Sequence, residues 1–354
     1  MLGLGAHMLG AFRFVLALLV VVYHLAKYPF AHHIGMYAVD GFYVVSGFLM
    51  TMVLNGVYAG RSGAFWINRL LRLFPAYYIV AAATAAVVHR WPYAAAAYHD
   101  NWLLNESRPF DLAGQLLIVP FGLSSMHAQF QFRLVPPIWS VGVEIVNYFL
   151  LWVFMARSPR YAMGALALSG AYHVLYLVMA PDFWPARYAP WYAAIVPFAI
   201  GTLTYFAFAD GRLTDWRHGT AALGLWTANL CAAGLTGPGA FAYGVGWYLN
   251  IALAAYVVAT LGPRSAANWF GRADKAMGDL AYPVFLVHWI ISFVIVLMVP
   301  SIMLRPILLC LATAPLAILY GWLIARMTER LIEPLRHHVR VHDRMAASAR
   351  SRSV

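Results

Sequence analysis

The stretch FVLALLVVVY at residues 14–23 is an uninterrupted apolar segment that lies between Arg13 and His24. On an α-helix the eleven steps from Arg13 to His24 rotate through about 1100°, so the two side chains lie within about 20° of one face. They are then about 16 Å apart along the helix axis. Ionisable side chains within an apolar helix are costly and usually face a polar cavity that serves a function. The segment therefore predicts a membrane helix that carries a functional stripe.

The composition extends this prediction to the whole chain. Its 354 residues are 63% hydrophobic and only 10% charged, which excludes a soluble globular protein and indicates an all-α polytopic membrane protein. We expect about ten transmembrane helices. The apolar segments lie near residues 9–27, 37–57, 71–89, 138–156, 161–180, 189–209, 218–235, 239–261, 281–300 and 303–327.

The distribution of basic residues predicts the orientation. With both termini inside, the inner side holds seventeen of the 24 Lys and Arg residues and the outer side six, as the positive-inside rule requires. We therefore predict an N-in/C-in topology, with a membrane domain over residues 1–335 and a basic cytoplasmic tail over 336–354. The net charge of +11 then indicates anionic membrane lipids as neighbours and not nucleic acid. Residues 61–72 are predicted to form an interfacial helix before the third span.

The predicted topology assigns a depth to each buried polar residue. His24, Asp40 and Glu144 come from three helices and are expected to meet in the outer half of the membrane. An imidazole beside a carboxylate is typical of a general base, because the carboxylate fixes the tautomer and stabilises the imidazolium. At the inner face, a cluster of three arginines suits a phosphorylated ligand, since guanidinium groups pair bidentately with phosphate. The cluster comprises Arg13, Arg69 and Arg72.

Each of these residues also has a purely structural interpretation. Arginines are common at inner helix ends, and Asp40 could simply cap the second helix at its N-terminus. Glu144 could belong to a structural ion pair, and His24 or His288 could be satisfied by a neighbouring backbone group. The two cysteines lie in separate apolar segments, so neither a disulfide nor a metal site is expected.

Six sequence blocks, in order, resemble one known family. They are Arg13-x10-His24, VDGFYVVSGFLM at 39–50, WINRLLRLFPAYY at 66–78, IWSVGVEIVNYFL at 138–150, MGDLAYPVFLVHWII at 277–291 and IEPLR at 332–336. They are similar to the integral-membrane acyltransferase family 3, of the polysaccharide O-acetyltransferase type with a stand-alone membrane domain. Gly142, Asn147 and Ala281 depart from the usual residues of their blocks, while the acidic and aromatic positions are kept.

The resemblance implies the fold of that family and an acyl donor, acyl-CoA, taken from the cytoplasm. With acetyl-CoA as the expected donor, the acceptor would be a hydroxyl of an exported or lipid-linked saccharide at a bacterial inner membrane. No metal is expected. By matching positions, His24 is the essential histidine, Arg13 is its motif partner, Glu144 is the acidic residue, and Arg69 and Arg72 are the arginines of the third-span block.

These implications give three groups of expected site residues. The catalytic group is His24, steadied by Glu144 or Asp40, and His24 acts either as base or as acyl carrier. The donor-binding group is Arg13, Arg69, Arg72, Ser46 and Gly47, and the acceptor-binding group is Tyr43, Trp139, Asn147 and His288. Two alternative functions remain open, namely a transporter or flippase of a lipid-linked saccharide and an acyltransferase that acts on a small molecule.

Overall fold

The computed structural model describes residues 8–26, 33–99, 102, 114–119, 133–179, 183–264 and 268–351, with side chains described as far as residue 335 except that of residue 333. Regular structure in this part of the chain is helical, and no strand occurs in it. The helices are α1 (Gly10–Ala26), α2 (Ile34–Asn55), α3 (Ser62–Arg90), α4 (Pro92–Tyr98), α5 (Trp139–Val153), α6 (Pro159–Met179), α7 (Ile195–Phe208), α8 (Trp216–Thr236), α9 (Gly246–Leu261), α10 (Trp269–Met298) and α11 (Pro306–Ser351). Short 3₁₀ or π segments cover Pro136–Ile138, Met155–Arg157, Trp184–Tyr188, Phe241–Val245 and Pro300–Leu304.

Most of these helices have the length and polarity of membrane spans. Seven stretches in the described chain are long and apolar enough to cross a bilayer, and α1 and α7 are shorter apolar helices. Helix α6 exposes Leu, Val and Met side chains, and the described part of α11, as far as Leu335, exposes Leu, Ile and Met side chains, as expected where a surface contacts lipid. The prediction of an all-α polytopic membrane protein is confirmed. The count of ten spans and the N-in/C-in orientation stay predictions.

Two predicted boundaries look different in the structure. The interfacial helix over 61–72 is not separate, because α3 runs without a break from Ser62 to Arg90 and continues through Pro75. At 29 residues, α3 is about 43 Å long, which exceeds the roughly 30 Å hydrocarbon core of a bilayer. Its first turns therefore supply the interfacial segment. Helix α11 likewise continues across the proposed 335/336 boundary, which stays a prediction.

Helices α1, α2 and α10 form the centre of the bundle, and α2 packs closely against α7. A Cβ atom on Gly47 would lie 2.2 Å from the Phe198 carbonyl oxygen, and one on Gly201 would lie 2.1 Å from that of Val44. Only glycine allows the two backbones to approach this closely. A hydrogen bond of 3.1 Å between the Thr51 and Thr202 hydroxyls joins the same two helices.

Helix α1 runs parallel to α10 in a fixed register. At one end the Asp274 carboxylate accepts hydrogen bonds of 2.8 Å from the backbone N–H groups of Gly10 and Ala11, which caps the α1 N-terminus. At the other end His24 contacts His288. Both pairs are separated by 264 residues in sequence, so the register stays constant over fourteen residues, or about 21 Å.

Candidate functional site

A cavity of about 190 Å³ lies between α1, α2, α3, α5 and α10. Helix α2 lines it with a single stripe at helical spacing that begins at Val39 and ends at Val53, a length of about 21 Å. The rest of the wall combines apolar side chains with a concentration of polar ones. The polar lining residues are Arg13, Tyr43, Ser46, Arg69, Arg72, Ser140, Glu144, Tyr148 and Tyr282.

The three arginines predicted to bind the donor are brought together by this cavity. Arg69 and Arg72 lie three residues apart on one face of α3, and Arg13 enters from α1, within electrostatic range of Arg72. The Arg69 Nη1 atom lies 3.5 Å from the Met50 sulfur. An Arg72 nitrogen lies 3.9 Å from an Asp279 carboxylate oxygen. Three guanidinium groups around one cavity make it a strong candidate for an anionic ligand.

Glu144 lies in the same cavity as the arginines. Both the Ser46 hydroxyl and the Tyr148 hydroxyl donate hydrogen bonds to its Oε1 atom. Tyr148 is one helical turn after Glu144 on α5, and Arg13 lies within electrostatic range of both. The carboxylate is therefore held by two hydroxyl groups and compensated by nearby guanidinium charge, as a buried ion must be.

His24 contacts a second histidine. Its Nδ1 atom lies 3.0 Å from Nε2 of His288, and the two rings are nearly parallel, at an interplanar angle of 12° with centroids 5.1 Å apart. His288 is fully buried, and its Nδ1 atom lies 2.8 Å from the carbonyl oxygen of Phe285. The Trp289 ring lies 5.3 Å from that of His24, and the His99 ring lies 4.3 Å from that of Trp289.

The cavity and the histidine pair adjoin each other through Phe285. The Phe285 ring lines the cavity and lies 6.4 Å from the ring of Phe42, which also lines it. The carbonyl group of the same residue bonds to His288. One end of the cavity therefore lies within one turn of α10 from the histidines.

The structure does not pair His24 with either predicted carboxylate. Among the described hydrogen bonds His24 is joined to His288, whereas Glu144 is joined to Ser46 and Tyr148. Asp40 is 2% exposed, lies beside the Trp247 indole and is absent from the cavity lining. The expectation that Glu144 or Asp40 steadies His24 is therefore replaced by a contact with His288. The catalytic roles themselves stay predictions.

The remaining expected site residues divide between the cavity and the protein interior. Ser46 and Tyr43 line the cavity, and the Tyr43 hydroxyl donates to the Ser140 carbonyl oxygen at 3.2 Å. Gly47 faces α7 instead and is absent from the cavity lining, so its small size serves helix packing.

Two residues expected on the acceptor side pack in the protein interior and do not line the cavity. Asn147 is fully buried and donates to the carbonyl oxygens of Val143 and Trp191, at 3.0 and 3.1 Å. Trp139 packs edge-on against Trp184 and is absent from the cavity lining.

Sequence reasoning missed one contact and two residues of this region. His288 was expected at the acceptor, and its bond to His24 was not foreseen because the two lie 264 residues apart. Tyr148 could have been found, since a residue at i+4 from Glu144 shares its helix face. Trp289 directly follows His288, but adjacency in sequence gives no indication that its ring reaches His24.

Comparison with known proteins gives the family. A family model described as an acyltransferase domain, that of acyltransferase family 3, matches residues 8–326. No curated protein and no solved structure matches the chain. The match includes α1, with Arg13 and His24, and every residue of the cavity lining. In the described chain, no group of three or more His, Cys, Asp or Glu side chains is placed to hold a metal ion. With the helical membrane fold, this match shows that the chain belongs to acyltransferase family 3 and is an acyltransferase.

Proposed function

We propose that the protein transfers an acetyl group from acetyl-CoA to a hydroxyl group of an exported or lipid-linked saccharide, in a bacterial inner membrane. The observation that carries the proposal is the placement of three arginines in a cavity whose other end adjoins His24 through Phe285 and His288. A donor with phosphates at one end and a thioester at the other fits that placement. Arg13, Arg69 and Arg72 would hold the phosphates.

The proposed chemistry needs one base and no metal. His24 takes the proton of the acceptor hydroxyl as its oxygen attacks the thioester carbonyl carbon. The carbon–sulfur bond then breaks, and the leaving thiolate receives the same proton from the His24 imidazolium. The products are an ester on the acceptor and free CoA thiol. In the alternative covalent route His24 carries the acyl group itself.

Turnover by purified protein in lipid nanodiscs tests this proposal. Radiolabelled acetyl-CoA is supplied with a panel of lipid-linked oligosaccharides and, separately, with hydroxylated small molecules. The variant is His24→Ala, and the matched control is His218→Ala, which removes an exposed imidazole on α8 that bonds only the Tyr256 hydroxyl among described partners. General base catalysis contributes about 10²–10⁴-fold, so His24→Ala should lose at least that much rate while His218→Ala stays near wild type.

The other outcomes separate the alternatives. Label that remains on the protein after rapid denaturation in detergent at neutral pH, and that is lost in His24→Ala, identifies the covalent route. Transfer to small molecules only would replace the saccharide acceptor. If no acyl-CoA of any chain length is consumed with any acceptor, the proposal is wrong, and flipping of lipid-linked saccharide in sealed vesicles is then measured.

A further inference from the structure

The hydrogen-bond partners of His24 and His288 determine which of their ring nitrogens carry protons. The Nδ1 atom of His288 faces a backbone carbonyl oxygen, that of Phe285, at 2.8 Å. A carbonyl oxygen can only accept, so this nitrogen must carry a proton. In the neutral ring the other nitrogen, Nε2, is then unprotonated and can only accept a hydrogen bond.

The same constraint passes to His24. Its Nδ1 atom lies 3.0 Å from the accepting Nε2 atom of His288, so the proton of that bond must come from His24. The neutral His24 ring therefore carries its proton on Nδ1, and its Nε2 atom presents a free lone pair. One backbone carbonyl thus determines the tautomers of two imidazole rings on different helices.

We propose that His288 is a positioning residue that holds His24 in the Nδ1–H tautomer and thereby presents Nε2 as the base. This inference rests on the proposed function. When Nε2 takes the acceptor proton, the Nδ1–H bond to His288 remains, and the proton later leaves from Nε2 to the thiolate, so His288 stays neutral throughout. In many enzymes a carboxylate has this orienting part, whereas here the partner is an imidazole.

The packing of the pair supports a positioning role. His288 is fully buried, and its ring is fixed from one side by the Phe285 carbonyl. The parallel register of α1 and α10 is fixed about 21 Å away by the Asp274 cap, so both rings stand on helices that hold a constant alignment. Among the described residues, Tyr23, Trp289 and His99 also lie near His24.

Two substitutions of similar shape test the proposal. His288→Gln keeps an oxygen that can accept from His24 Nδ1–H, whereas His288→Met fills the space without an effective acceptor. We expect His288→Met to lower kcat by about 10²–10⁴-fold, the range of base catalysis, with the KM for acetyl-CoA unchanged. His288→Gln should recover about tenfold of that loss, an amount typical of one hydrogen bond. Equal thermal unfolding of the two variants excludes a difference in folding.

A measurement without turnover separates this inference from the proposed function. Nitrogen NMR of ¹⁵N-histidine-labelled protein in nanodiscs distinguishes the two neutral tautomers of His24, whose signals are assigned with His24→Ala. Wild type and His288→Gln should show Nδ1–H, and His288→Met should show Nε2–H almost exclusively. An unchanged Nδ1–H signal in His288→Met, or an Nε2–H signal in wild type, overturns the inference even if acetyl-CoA is consumed. The expected NMR signals without any acetyl-CoA turnover would uphold the tautomer assignment and reject the proposed function.

Discussion

Replacing Arg13 by Gln should weaken the binding of acetyl-CoA by about 10- to 150-fold. A hydrogen bond to a charged group contributes about 1.5–3 kcal/mol, and every 1.4 kcal/mol changes a dissociation constant tenfold. The guanidinium groups of Arg13 and Arg72 repel each other in the empty cavity, and a bound phosphate would relieve that repulsion. The Arg13 guanidinium also attracts the Glu144 and Asp279 carboxylates, so the expected loss is that of one contact with the phosphate.

Isothermal titration calorimetry on detergent-purified protein measures the effect directly. The matched control is Arg217→Gln, which removes an arginine that lies over the Trp216 ring on α8 and does not line the cavity. Arg13→Lys should fall between wild type and Arg13→Gln, because an ammonium keeps the charge but lacks the bidentate geometry of a guanidinium. Affinities that are equal in Arg13→Gln and Arg217→Gln would refute the assignment of the cavity to the phosphates.

Two further predictions concern the cavity and the helix contact that supports it. Glu144→Gln should tighten acetyl-CoA binding at low salt, because a negative charge beside an anionic ligand is removed while an acceptor for Ser46 is kept. A loss of kcat as large as that of His24→Ala would instead indicate that Glu144 supports His24 as the base. Gly278→Ala should lower thermal stability and turnover, since its Cβ would lie 2.8 Å from the Gly10 Cα, about 0.6 Å short of ordinary contact, and overpacking costs about 1–3 kcal/mol. Gly170→Ala, with no atom within 4 Å, is its control.

The sequence predicted the helices well because apolar runs are long and their ends are marked by charge. The segment 14–23 lies within α1, and Arg13 lies in the cavity that also contains Arg69 and Arg72. What the sequence could not supply is which helices are neighbours. Any two membrane helices can pack, and only the folded chain shows that α1 meets α10 in parallel.

The placement of Glu144 shows a different limit. Its expected depth assumed that all spans begin at one plane. Helix α5 has only fifteen residues, or about 22 Å, which is shorter than the hydrocarbon core. Its first residue therefore need not lie at the level at which longer helices start. Rotation about the helix axis depends less on such differences in level, and the interval of seven between Asp40 and Gly47 places both on one face of α2.

The face that contains Asp40 and Gly47 does not line the cavity. Asp40 and Gly47 are both absent from the lining, and Gly47 faces α7, whereas Tyr43 and Ser46 belong to the stripe. Helical spacing alone does not separate the two sets, because Tyr43 is three residues from Asp40 and four from Gly47, so the two faces of α2 adjoin. It also does not show which face packs and which lines the cavity, since glycine suits both close packing and passage of a ligand.

The distance from Arg13 to His24 is fixed because both residues lie on one rigid helix. Both residues stand on α1, about 16 Å apart along its axis, and α1 is tied to α10 at the Asp274 cap and again at His288. A ligand held by its phosphates near Arg13 can place a reactive group at His24 only if it has the corresponding length. We therefore expect the site to select donors by length as well as by charge. Acetyl phosphate, which carries the acyl group beside its only phosphate, should fail as a donor even at high concentration, and its use at a rate comparable to acetyl-CoA would show that the two ends act independently.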